Sequence, residues 1–294
     1  MLFILCVAFV FGLLFGSFLN VCIRRLPLDE SIVTPRSHCP ACKHPLAASD
    51  NIPLLSYALL RGRCRHCNAA IGWQYPAVEF ATGLWFALSF LASAQLYAGF
   101  HATGGIATHN GIPDALLQSF VHGTSLAALG CLLIALLVTD WQTFLLPDEL
   151  TLGGTFLGML LAATESFFLP FSRVQQMFTP EEQFIAEHAA AALGGFLLLY
   201  LIGALYHRVR KRRGMGLGDA KLLALIGSFL GFAFTGLALF LGIVFAMLYA
   251  AVLLVRRRAQ GSTRLPFGSF LALGGLIAAI FGNRIIDAYL LLFH

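Results

Sequence analysis

The chain has 294 residues, 59% of them hydrophobic and only 11% charged. Soluble domains run at roughly 45–50% apolar and about 25% charged. A surface this poor in charge, with a mean hydropathy of +0.82, excludes a soluble enzyme, a disordered chain and a nucleic-acid-binding domain, and the apolar excess needs lipid as its solvent.

A membrane-crossing helix needs about 20 mostly apolar residues. The first such stretch, about 2–21, ends at Arg24-Arg25. It has no basic region before it and is too long for a signal core, so it reads as a retained anchor. Residues 24–76 are polar and rich in Pro, Arg and Cys, and form the one segment large enough for a small extramembrane domain. Further spans are predicted at about 77–98, 123–139, 150–169 and 189–206. A loop rich in Gly, His and Thr occupies 99–122, and a loop holding Glu181, Glu182 and Glu187 precedes the 189–206 span. The apolar run 222–255 is too long for one crossing, and the stretch from Gly231 to Gly236 offers a turn inside it. A last span runs from about 266 to 282. The expected fold is therefore an all-α polytopic membrane protein with about eight transmembrane helices and a small zinc-ribbon-like domain. Its parts are a first helix (1–23), a cysteine domain (24–76) and a transmembrane domain (77–294).

The basic residues test that count. If the first span exits into the cytoplasm, eight spans put seventeen Lys and Arg inside and leave only Arg173 and Arg284 outside. This is the bias that orients polytopic proteins, and it assigns the cysteine domain to the cytoplasm.

Seven cysteines are present. Cys39-Pro-Ala-Cys42 and Cys64-Arg-His-Cys67 form a C-x2-C…C-x2-C pattern, the spacing of a tetrahedral four-thiolate Zn²⁺ site. A reducing cytoplasm disfavours disulfides, and so short a segment needs a staple to fold. Structural zinc on Cys39, Cys42, Cys64 and Cys67 is favoured over a redox dithiol or four unrelated thiols. His38, His44 and His66 lie beside a shell that four sulfurs already complete.

Carboxylates at spans are costly and usually functional. Asp140 ends the third span and Asp219 opens the sixth, within GMGLGDAK. The topology puts both at one membrane edge. Two carboxylates held close share a proton, so one can activate water while the other acts as acid. The glycines at 214, 216 and 218 remove side-chain bulk where an extended backbone would lie. The structural alternatives are a helix-start role for Asp219 and an arginine-paired interfacial role for Asp140. Asp148 lies at the same face, but Pro147-Asp148-Glu149 reads as a helix start.

Several stretches together resemble the type IV prepilin peptidases, bacterial leader peptidase/N-methyltransferases. GSFLNVCIRRLP (16–27) is similar to the family's opening signature, and residues 37–79 resemble its cysteine domain in order and spacing. DWQTFLLPD (140–148) and GMGLGDAK (214–221) match its two aspartate motifs, the second being the GxGD motif of intramembrane aspartyl proteases. PFGSFLA (266–272) resembles its closing motif. Leu217 falls at a variable slot, and Ser269 stands where proline is commoner. The resemblance implies Asp140 and Asp219 as the catalytic pair and the four cysteines as zinc ligands. It implies cleavage of the basic leader of type IV prepilins and type II secretion pseudopilins at the bacterial inner membrane. S-adenosylmethionine would then methylate the new N-terminus. No glycine-rich cofactor fingerprint is present, so the methyl-donor site is open, with Glu79 and the cysteine domain as its candidates. Glu79, Asp148 and Glu149 are also candidates to attract the basic leader. An ion or proton transporter using the aspartates, or a zinc-ribbon scaffold in a secretion machine, are the competing classes.

Overall fold

The computed structural model describes residues 2–102, 108–109, 112–167, 180–211, 216–256 and 265–292. Its helices are α1 (Leu2–Arg25), α2 (Leu55–Leu59), α3 (Gln74–Ala102), α4 (Asp114–Thr143), α5 (Asp148–Ser166), α6 (Pro180–Arg210), α7 (Leu217–Val255) and α8 (Phe267–Leu291). A two-residue ladder pairs Thr108 with Pro113 and His109 with Ile112 before α4. The chain is thus an all-α membrane protein carrying a small cysteine domain between α1 and α3. Among the described residues, six helices are long and apolar enough to cross a bilayer: α1, α3, α4, α6, α7 and α8. The eight-span reading counts α5 and both parts of α7 as well.

Several helices exceed their expected bounds. α4 starts at Asp114, inside the expected 99–122 loop, and α6 starts at Pro180, so Glu182 and Glu187 are helical. α8 continues past 282 to Leu291. Hydropathy marks only the lipid-crossing part of a helix, and the polar turns beyond it are held by packing.

α7 reverses within its length. Gly231 has φ 72° and ψ −175°, outside helical space. A continuous helix would place Ile226 and Ala238 about 18 Å apart along its axis. Instead both meet neighbouring residues of α8. A Cβ on Gly275 would lie 3.1 Å from Ile226 Cδ1, and one on Gly274 would overlap the Ala238 carbonyl. The turn anticipated between Gly231 and Gly236 therefore sits at Gly231. Glu187 of α6 supports it, accepting the Phe232 N–H at 3.4 Å.

Two apolar clusters form the interior. One joins α1, α3 and α4 through Ile23, Trp85 and Ala135. The other joins α4 through α8 around Leu133, Leu225, Ile226 and Leu271. Large side chains such as Phe11, Leu201 and Phe240 face outward, a stable arrangement only in lipid.

Hydrogen bonds gather the site at one end. Asn20 Nδ2 of α1 reaches the Tyr75 carbonyl of α3 at 3.1 Å. Gln142 of α4 donates to Gln74 of α3 at 2.6 Å. Lys221 of α7 pairs with Asp148 of α5 at 2.6 Å. The cysteine domain, Asp140 and Asp219 all lie at this end, whereas the Gly231 turn lies at the other.

Candidate active site and metal centre

Asp140 sits in the last turn of α4 and is 5% exposed. Its Oδ2 accepts two bonds from one residue, the Ser269 N–H at 2.7 Å and the Ser269 hydroxyl at 3.0 Å. Ser269 lies in the first turn of α8, where backbone N–H groups have no intrahelical partner. The N-cap residue, Pro266, supplies no side-chain cap. Asp140 thus caps α8 from another helix, where the dipole favours a carboxylate. Gly268 makes this possible, since a Cβ there would lie 3.1 Å from Asp140 Oδ2.

Asp219 occupies the first turn of α7, behind the N-cap Gly216. Its carboxylate lies beside Gly216, where a Cβ would sit 3.8 Å from Asp219 Oδ2. Asp219 thus stands at a helix start, where the dipole favours a carboxylate. Leu146 lies between the two motifs: its Cδ1 would lie 3.0 Å from a Cβ on Gly218 and equally from one on Gly268. Across this gap the Asp140 and Asp219 carboxylates interact electrostatically. Beside them Trp141, Tyr249 and Phe270 form an aromatic group with ring centres 5.3–6.3 Å apart. Neither this group nor the two Ser269 bonds is visible in sequence spacing. Gly214 lies outside the described residues.

The acids expected to attract a basic leader fare differently. Asp148 opens α5 without a side-chain cap bond and is paired with Lys221, so its charge is already met. Glu79 is 9% exposed, and its Oε2 accepts the Leu54 N–H at 2.8 Å. Its backbone packs against α1 at Gly16, where a Cβ would overlap the Glu79 Cα. Glu79 therefore fastens the cysteine domain to α1 and α3. Glu149 alone remains exposed and unpaired in this way.

In the cysteine domain the two pairs are built alike. The Cys39 N–H donates to the His44 carbonyl and the Lys43 N–H to the Cys39 carbonyl, both at 2.9 Å. The Cys64 N–H and Ala69 carbonyl (2.9 Å) and the Asn68 N–H and Cys64 carbonyl (3.0 Å) repeat this. Lys43 and Asn68 carry matching positive φ of 60° and 56°. Each tight turn aims two thiols at one point, so all four sulfurs lie within 4.8 Å of one another. Cys39 and Cys67 Sγ are 3.8 Å apart, the edge of a tetrahedron with metal–sulfur bonds of about 2.3 Å. The Cys42 backbone N–H holds the Cys39 thiol down to about 6. At Cys67 the Ala69 backbone pulls downward, but burial and bonding among the thiols outweigh it and push Cys67 up to about 11. Four thiolates this close repel one another unless a cation sits among them. His44 and His66 lie against each other with ring centres 3.6 Å apart and planes tilted by 40°, and His38 bonds the Arg36 carbonyl. None of the three joins the cluster.

Comparison with known proteins matches this arrangement in two blocks. Residues 10–93 fit the Bacterial Peptidase A24 N-terminal domain, and residues 127–251 fit the Type IV leader peptidase family. Over the chain's length it is similar to proteins named prepilin leader peptidase/N-methyltransferase. Identity is 33% to that of Aeromonas salmonicida (strain A449), over 96% of this chain and 92% of the relative. It is 33% to that of Stutzerimonas stutzeri, over 98% and 94%, and 32% to that of Bacillus subtilis (strain 168), over 97% and 98%. No solved structure matches. The chain is an enzyme that belongs to the prepilin leader peptidase/N-methyltransferase family, within the type IV leader peptidases.

Proposed function

We propose that the enzyme is an aspartic endopeptidase working at the membrane edge, with Asp140 and Asp219 as its catalytic pair. The observation that carries this is their convergence from α4 and α7, helices whose motifs are far apart in sequence, at one end of the bundle. One carboxylate takes a proton from water as the water adds to the scissile carbonyl. The other gives a proton to the leaving amine, so water is split across the C–N bond. The Ser269 bonds commit Asp140 Oδ2 and leave its second oxygen for this work. The Trp141, Tyr249 and Phe270 group offers an apolar surface beside the pair for the helix following the leader.

The substrates are the basic leaders of type IV prepilins and type II secretion pseudopilins, with the cysteine domain and catalytic pair at the cytoplasmic face of the inner membrane. The distribution of basic residues supports that orientation. Four thiols at tetrahedral spacing support structural Zn²⁺ on Cys39, Cys42, Cys64 and Cys67. The second reaction methylates the new terminal amine with S-adenosylmethionine. S-adenosylmethionine would supply an electrophilic methyl group on a sulfonium leaving group, and the terminal amine would lose a proton to solvent on accepting it.

The test is cleavage of a model prepilin by purified enzyme in detergent. Asp140→Asn and Asp219→Asn should each lower the rate by about 10²–10⁴ with zinc content unchanged. Near-normal cleavage by either variant removes it from the pair.

A further inference from the structure

A cavity of about 540 Å³ lies where α1 and α3 meet the cysteine domain. That volume is ordinary for a small-molecule site. Its wall includes Asn20, Arg25, Tyr57, Tyr75 and Glu79.

Two of these residues have unmet needs. Asn20 is 4% exposed. Its amide nitrogen donates to the Gly16 carbonyl at 3.3 Å and the Tyr75 carbonyl at 3.1 Å. Those two carbonyls fix the amide's orientation, since turning it would set oxygen against oxygen. Asn20 Oδ1 is then the one buried side-chain polar atom among the described residues without a hydrogen-bond partner. Native structures rarely leave such an acceptor orphaned. Arg25 is 8% exposed and donates to the carbonyls of Ser31 and Pro35 at 2.8 and 2.7 Å. No carboxylate pairs with it among the described residues. Its guanidinium cannot lose its proton, and a buried charge calls for a counter-charge.

We infer that this cavity holds the methyl donor, with Asn20 Oδ1 accepting from one of its N–H groups and Arg25 meeting its carboxylate. The inference rests on the methyl-transfer reading above and names the site that reading leaves open. S-adenosylmethionine carries what the wall lacks. It has N–H donors on its adenine amine and its ammonium, and one carboxylate. It also carries a sulfonium, a cation that aromatic faces such as Tyr57 and Tyr75 attract. A lipid tail would answer neither Asn20 nor Arg25. The cavity also explains the Glu79 bond to Leu54: by holding the cysteine domain against α1 and α3, it fixes the distance between the two walls.

The experiment uses the full chain in detergent with its zinc. Binding of S-adenosylmethionine and of S-adenosylhomocysteine is measured by calorimetry, and 8-azido-S-adenosylmethionine is photocrosslinked and the labelled peptides mapped. Label is expected in the end of α1, the start of α3 and the segment between them. Asn20→Leu should weaken S-adenosylhomocysteine binding about tenfold, the loss of one hydrogen bond. Arg25→Met should weaken it further. Should Asn20→Leu fail to fold, the label map on the unaltered chain decides alone. Wild-type protein that binds neither compound overturns the methyl-transfer reading. Protein that binds them but is labelled in α4–α8, or that binds equally well in both variants, overturns the site and leaves that reading standing.

Discussion

In the cysteine domain each pair of thiols is aimed by a few adjacent residues, whereas at the aspartate site Asp140 is held by a residue 129 positions away. The first geometry is local and repeated. Each turn closes on its own backbone, and two such turns need only be brought together. The second exists only once α4, α7 and α8 are packed, because the α8 N-terminus must arrive beside Asp140 and α7 must turn back at Gly231. A local site of four thiols would depend on the proposed metal, while an assembled site depends on the bundle. Perturbing each should therefore damage different things.

The largest effect is expected from the metal. Structural zinc contributes about 10–16 kcal/mol to small zinc-dependent folds. Cys64→Ser, or strong chelation, should release about one zinc per chain and expose the segment between α1 and α3 to protease. The helical signal of the bundle should persist. A zinc-free chain whose cysteine segment still resists protease would break the contrast, by showing that the domain holds itself.

At the other region the turn is the point of leverage. Gly231→Ala forces a side chain into a positive-φ position, and its Cβ would lie 3.0 Å from Glu187 Oε1. Strain of this kind costs about 1–3 kcal/mol. The thermal midpoint in detergent should fall and cleavage with it, while zinc content stays at the wild-type level. Unchanged cleavage in this variant would mean that the position of Asp219 does not depend on the reversal.

The same contrast explains what could be read from sequence. The paired C-x2-C spacing displays its own geometry, because ligand and turn lie together in the chain. The apolar runs mark lipid-crossing segments but not the polar turns that extend α4 and α6. Gly231 was visible as a turn because its run was too long for one crossing. Asp140 and Asp219 stood out as acids among few charges, yet their partners did not. Ser269 is an ordinary residue in an ordinary helix start, and only packing gives it a carboxylate. Asn20 likewise follows an apolar stretch with nothing in the spacing to show that its oxygen lacks a donor.

Ser269 therefore offers a finer probe of the assembled site. Ser269→Ala removes the hydroxyl from Asp140 Oδ2 but keeps the backbone N–H. Its expected effect is a kcat about tenfold lower with KM nearly unchanged, because the bond orients the carboxylate and does not bind substrate. Ser269→Thr keeps both donors and should restore the rate. A purely structural cap would instead lower stability without this split, and threonine would leave kcat where alanine did.

The smallest effect should come from the one ion pair that ties the two aspartate motifs together. Lys221 lies two residues beyond Asp219, and Asp148 ends the motif that Asp140 begins. The pair is close, at 2.6 Å, but the Asp148 side chain is 59% exposed. Water and salt screen such pairs, which are worth about 0.2–1 kcal/mol. Lys221→Met should therefore change thermal stability by less than about 1 kcal/mol, and about 0.5 M salt should remove most of the difference. Cleavage should change little, because the Ser269 bonds hold Asp140 and the start of α7 places Asp219 independently of Lys221. A large, salt-insensitive loss of cleavage would mean that the ion pair, and not the two helix starts, sets the spacing of Asp140 and Asp219.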